Sequence, residues 1–347
     1  MWAFSDFWDY HGDLSGAILN QAFVDHYGLI FDASSTEASP GLPNAIGADL
    51  GLTSLGEGRD QVLRADKDVF CAAMERLLSP EKTVTRRLFF QALHIAYADA
   101  IGRECSPDPI ILFGLHIPHP HRVRKFLDDF PDAMFLHMIR EPSQSTASQF
   151  RQYELISNTP SGAMMVGLVN SLIGSVPVTA SAAPCSRVVR LEDMHENPLR
   201  TILAVCGWLQ IPFEASLLQS SYNGLKFWNE KGQPQISGIS TEYVKQRYEE
   251  YVGSFDRFRI RRLCAPRHRD FGYYPNAFFA GSRVVQFCIA PLLILPFRME
   301  WMEIIRCARS GRLSSALRAY FKLRRFFLKF LTNPPGHAVP LFGAPPW

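Results

Sequence analysis

Between residues 109 and 215, apolar runs of four to six residues alternate with stretches at helical spacing, and this alternation constrains the fold more than any other feature. The runs are residues 110–113 (IILF), 134–139 (MFLHMI) and 188–191 (VVRL). Each is apolar almost throughout and gives way to a polar turn, the pattern of a strand buried on both faces of a parallel sheet. Helices are expected between and after them, over 120–129, 143–157 and 198–208. Strand and helix in alternation mean an α/β fold with right-handed crossovers, and ligands of such sheets bind at the carboxyl ends of the strands.

The flanks differ. Residues 1–60 open aromatic and then become loop-rich, punctuated by Gly47, Gly51, Gly56 and Gly58. Residues 66–101 read as helix in two pieces around Ser79 and Pro80, with Leu88, Leu93, Ala96 and Ala100 close to one stripe. A charge-rich helical stretch covers 241–265. From 277 the composition shifts, so we divide the chain into a domain over 1–275 and a tail over 276–347. The apolar run 284–297 is broken by Gln286, Pro291 and Pro296 and falls short of the ~20 residues of a membrane-spanning helix. Extending it back to Ala277 takes in Arg283. Behind it, Arg306, Arg309, Arg312, Arg318, Lys322, Arg324, Arg325 and Lys329 interleave with Leu, Phe and Tyr, without an acid. A basic amphipathic helix beside an apolar segment fits a protein lying on an anionic membrane surface. A tail packed on the domain with a solvated basic face, and a true span, are the other two readings.

Composition removes several classes. With 47% apolar and 20% charged residues, the 347-residue chain is neither disordered nor a coiled coil. A net charge of +3, from 36 Lys+Arg against 33 Asp+Glu, is too weak to argue for nucleic acid, and none is expected as a partner. The seven cysteines are scattered, with no CxxC pair and no Cys/His pairing at zinc spacing, so neither a disulfide framework nor a metal site is expected. Met1 to Phe4 run straight into Asp6, Asp9 and Asp13, unlike a targeting segment. We expect a cytoplasmic protein, peripheral at the membrane if the tail binds lipid.

The segment richest in chemistry is 130–148. A strand ends at Ile139 and presents Arg140 at its carboxyl end. Pro142 then suits the first turn of a helix, and Ser148 falls on the second turn, where its hydroxyl can face the guanidinium. Arginine offers a planar fork of donors matched to phosphate oxygens, and a hydroxyl adds another. The same arginine could instead pair with carboxylates of the fold.

In full, this segment, FPDAMFLHMIREPSQSTAS, resembles the 3′-phosphate-binding segment of the sulfotransferases. In order behind it, RVVRLEDMHENPLRTILAVCGWLQIPF is similar to that family's strand, YEDL-like turn and following helix. The stretch 238–275, ending in FGYYP, resembles its closing helices, and PIILFGLHIPHPHRVRKFLDDFP the approach to the strand. The resemblance covers about 110–275. It implies a P-loop-like parallel sheet flanked by helices, and transfer of a sulfuryl group from 3′-phosphoadenylyl sulfate (PAPS) to a hydroxyl or amine of a carbohydrate, lipid or other acceptor. Carried over residue by residue, Arg140 and Ser148 bind the 3′-phosphate.

Three departures qualify this. The family's Gly-rich 5′-phosphosulfate loop, resembling PxSGTT, has no match. Residues 11–16 (HGDLSG) are the nearest segment, lack its Lys or Arg, and follow no expected strand. The α/β domain is therefore expected to be incomplete at its amino terminus, the chain beginning after the loop or being a truncated copy that binds nucleotide or acceptor without turnover. Where the family carries Lys-Thr-Pro, this chain has His116-Ile117-Pro118, followed by His119 and His121. A histidine near its ordinary pKa of ~6.5 can act as general base, which makes His116 and His119 the catalytic candidates. In a Pro-rich loop they can equally be surface or capping residues. His137 reads as a satisfied core histidine, and Glu192 and Asp193 as caps of the helix near Pro198. The family's RKG-type loop has no match, although Lys226 and Trp228 fall in a comparable zone. A kinase-like P-loop transferase is the remaining enzyme class, disfavoured by the lack of a Walker lysine and of an acidic magnesium-binding motif.

Overall fold

A computed structural model describes residues 4–37, 40, 46–78, 83–105, 109–114, 120–157, 185–229, 236–245, 251–268, 271–274, 292, 295–332, 339, 340 and 342. The protein is mixed α/β, mostly helical, with a small parallel sheet. The helices used below are α1 (Phe4–His11), α2 (Gly16–His26), α3 (Lys67–Leu78), α4 (Arg86–Ala100), α5 (Pro120–Asp129), α6 (Pro142–Ser157), α7 (Leu191–Glu196), α8 (Pro198–Leu209), α9 (Glu242–Lys245), α10 (Ser254–His268), α11 (Arg298–Arg309) and α12 (Leu313–Thr332). The parallel strands are β1 (Phe135–Ile139), β2 (Ser186–Arg190) and β3 (Val339–Pro340). The chain divides into two compact units, Met1–Asp132 with Glu214–Ile239, and Ala133–Phe213 with Ser240–Trp347.

The first unit is a helical assembly around aromatic side chains. Asp66 caps α3, its carboxylate accepting the N–H groups of Asp68 and Val69 at 3.0 Å each. Thr85 caps α4, its hydroxyl accepting from the Leu88 N–H at 3.2 Å. On α4, Phe89, Ala92, Leu93, Ala96 and Ala100 recur every three or four residues, so one face is apolar and buried. It meets Phe70, Ala73 and Met74 of α3, with Phe7 and Phe23 from α1 and α2. The rings of Phe7 and Phe23 lie edge-on at 5.5 Å.

One segment without an assigned structure takes form here, and one expectation changes. The aromatic opening is helical, because burying Phe7 and Phe23 against α3 and α4 supplies the stability that short isolated helices lack. Residues 110–113 form no strand: Ile111 and Phe113 pack on the aromatic core, whereas Ile110 is 70% and Leu112 82% exposed. An extended segment laid on a helical core shows one side to solvent, so an apolar run alone does not imply burial on both faces.

In the second unit, β1 pairs in parallel with β2, Phe135 opposite Ser186 through Ile139 opposite Arg190, and β3 adds two residues beyond β2. Strand β1 leads through Arg140 and Glu141 into α6, and β2 leads directly into α7 and α8, the strand–helix order expected of these segments. Helix α10 carries Arg259, whose side chain is fully buried. Its guanidinium donates to the carbonyls of Leu292 (3.1 Å), Leu295 (2.6 Å) and Pro296 (3.0 Å), pairs with Asp256, and lies between the rings of Phe255 and Phe297. The basic stretch is two helices, α11 and α12, with Gly311 in the left-handed conformation at the turn. Arg324 is not on the solvated face: it is buried, ion-paired with Glu300, and donates to the Leu295 carbonyl at 2.9 Å.

Candidate functional site

The carboxyl ends of β1 and β2 place several polar side chains together within the second unit. Glu141, directly after Arg140, caps α6. Its carboxylate accepts the Ser143 hydroxyl at 2.6 Å and the Gln144 N–H at 2.7 Å, a favourable place for negative charge at a helix amino terminus. It also accepts the Tyr274 phenol and lies 3.5 Å from Arg261. Glu192, at the start of α7, accepts the Glu141 N–H at 3.2 Å and the Tyr273 phenol. Burial, reinforced by these carboxylates, raises the pKa of both phenols, so they stay protonated and serve as donors.

Arg140 is half-buried beside this network and pairs with no carboxylate among the described residues. The carboxylates nearest it in sequence are engaged elsewhere. Its Nη2 donates to the Tyr243 carbonyl of α9 at 2.9 Å. His195 of α7 holds the same segment from a second point: the Ser240 N–H donates to its Nδ1 at 3.1 Å, and its ring lies 5.0 Å from that of Tyr243. With Nδ1 accepting, the neutral ring carries its proton on Nε2. Burial, then the charge of Arg140, lowers the His195 pKa and keeps the ring neutral.

Ser148 is on the second turn of α6, half-buried, with no hydrogen bond to its hydroxyl among the described residues. Arg140 and Ser148 are thus both carried by the β1–α6 connection. His116 and His119 lie outside the described residues. Lys226 and Trp228 belong to the first unit, where Lys226 pairs with Glu57 at 2.7 Å and the Trp228 indole donates to the Gly56 carbonyl at 2.7 Å. Residues 11–16 run from the last residue of α1 through a turn to the first of α2, and a Cβ on Gly12 would meet the Trp8 ring at 2.6 Å. That glycine is needed for close packing.

Glu192 and Asp193 do not cap α8. Asp193 pairs with Arg190, and Glu192 turns to Tyr273 and the β1–α6 turn. His137 is half-buried, and its buried Nε2 has no hydrogen-bond partner among the described residues, so it is not satisfied as expected. Desolvation lowers its pKa to about 4.

Sequence reading missed His195, Tyr243 and the phenol–carboxylate network. All of them but Glu141 lie in the segments quoted for the resemblance after residue 187, which gave them no role in a site. Among the described residues no group of three or more His, Cys, Asp or Glu is placed to hold a metal ion. No family model, curated protein or solved structure matches the chain.

Proposed function

We propose that this protein is a PAPS-dependent sulfotransferase, with Arg140 and Ser148 as ligands of the nucleotide's 3′-phosphate. One observation carries the reading. Arg140 stands at the carboxyl end of a parallel strand, unpaired with any carboxylate among the described residues, while Glu141 and Glu192 are held by phenols and backbone. A half-buried arginine serving only the fold would be expected to pair with one of them; an arginine kept for a ligand would not. The parallel β1–β2 pair, with helices following each strand, is also the local arrangement of a P-loop-like sheet, and we extend that fold to the domain as part of the proposal.

In the proposed reaction an acceptor oxygen or nitrogen bonds to sulfur as the bond from sulfur to the bridging phosphate oxygen breaks. The products are a sulfated acceptor and 3′-phosphoadenosine 5′-phosphate, and the acceptor's proton passes to a base, for which His116 and His119 are the candidates. Arg140 holds one end of the nucleotide so that the reacting atoms meet in line.

Calorimetry with 3′-phosphoadenosine 5′-phosphate is the test. The full chain is expected to bind it, Arg140→Ala to weaken binding at least about thirtyfold, and Arg140→Lys to restore part of the loss. Equal affinity for adenosine 5′-phosphate, which lacks the 3′-phosphate, would overturn the assignment. Binding without sulfuryl transfer to any acceptor would instead favour the non-catalytic form of the same fold.

A further inference from the structure

The two C-terminal helices expose an apolar surface together with a dense positive charge. On α11, Trp301, Met302 and Ile305 are 53%, 52% and 47% exposed. At 100° per residue they fall on the side opposite Glu300 and Cys307, which face inward. Arg298, Arg306 and Arg309 share that outer side. On α12, Leu313, Leu317 and Phe321 repeat every four residues and form one exposed row, Phe321 reaching 64%. Arg318, Lys322 and Arg325 flank the row, and Arg312 precedes it, all exposed. The one acid with a described side chain between 295 and 325 is Glu300, buried against Arg324.

The arrangement is not a helix awaiting a core. Its inner side is already occupied: Cys307, Ala316 and Leu323 are buried, and Arg324 and Glu300 close the contact between the helices. The hairpin is held to α10 through Arg259 and Asp256, which accepts the Arg298 N–H at 2.8 Å. The exposed apolar residues therefore lie on a second, outward side of a folded hairpin. No helix among the described residues is long and apolar enough to cross a bilayer.

We infer that α11 and α12 form a docking face for an anionic lipid surface. Trp301, Met302, Ile305, Leu317 and Phe321 enter the boundary between headgroups and acyl chains. The arginines and Lys322 reach along it to lipid phosphates, their stems covering apolar surface while the charged ends stay wet. Nucleic acid would use the cations but leaves no role for exposed Met302, Ile305 and Leu317. An acidic protein would pair with the cations without needing the aromatic residues to enter a non-polar phase. Positive charge alone attracts either partner; charge interleaved with apolar side chains suits a bilayer interface. The inference is independent of the proposed sulfuryl transfer.

The test is co-sedimentation of the full chain with phosphatidylcholine vesicles, with and without phosphatidylserine. Removing 277–347 would uncover Arg259 and unsettle the unit, so exposed point substitutions are the proper variants. Wild type is expected to pellet with phosphatidylserine vesicles and to be released by salt. Trp301→Ser with Phe321→Ser, and separately Arg309→Glu with Arg318→Glu, are each expected to weaken partitioning at least about tenfold while leaving the thermal unfolding midpoint near wild type. Three results would overturn the inference: equal binding to neutral vesicles, no binding to either, or loss of binding through the charge pair alone with the apolar pair silent. The last would mark a generic polyanion site.

Discussion

His137 shows at the residue scale how burial sets chemistry. It sits on β1, where desolvation holds its pKa near 4 against the ordinary 6.5. The unfolded chain takes up this proton as pH falls through 6.5, and the folded chain resists until about 4, so the folded state loses stability across that window. The difference amounts to about 3 kcal/mol at most. In urea titrations at pH 7 and pH 4.5, His137→Leu is expected to show a smaller loss of stability on acidification than wild type. An identical loss in both proteins would show that His137 titrates normally. His195 differs from it: Nδ1 is engaged by a backbone N–H and Arg140 adds its charge, so position within a site and not burial alone keeps that ring neutral.

Elements are held here by buried polar groups at their ends. Arg259 of α10 collects three carbonyls from residues 292–296 and pairs with Asp256, which in turn accepts from the first residue of α11. Deleting the guanidinium takes from Asp256 its buried cation, leaving it only the Arg298 N–H, and takes a donor from the Leu292 and Pro296 carbonyls. Arg259→Met is therefore expected to destabilise the protein by about 3–5 kcal/mol, read as a lower denaturant midpoint. Replacing Arg325, exposed one residue from buried Arg324, is expected to change stability by less than about 0.5 kcal/mol. Near-equal effects of the two substitutions would show that burial does not separate them.

For the whole molecule, the consequence of two compact units is two cores. The aromatic cluster of Phe7, Phe23, Phe70 and Phe89 belongs to the first, whereas β1, β2 and the Arg259 cluster belong to the second. Phe7→Ala, expected to cost about 3–5 kcal/mol in its own core, should raise amide hydrogen exchange in α2, α3 and α4 before it affects β1 and β2. Uniform loss of protection would mean that the units unfold as one.

Much of the local structure was legible because it depends on neighbours in sequence. Helical spacing located α4 and α5, a proline at the first turn marked α6, and the runs ending at Ile139 and near Arg190 marked the two strands that carry the site. That Arg140 and Ser148 share one strand–turn–helix connection was legible for the same reason. What sequence could not supply was contact between distant segments. The aromatic opening with Phe7 and Phe23 had no assigned structure until α3 and α4 covered it, and residues 110–113 read as a buried strand until only one side met a core. Arg324 and Arg325 are adjacent and chemically identical, yet one is buried against Glu300 and the other faces solvent. The hold of His195 and Arg140 on residues 240–243 joins positions far apart in the chain. Composition and periodicity report what a residue prefers locally, and burial, which costs a charge heavily unless a partner meets it, is decided by what the rest of the chain brings to that place.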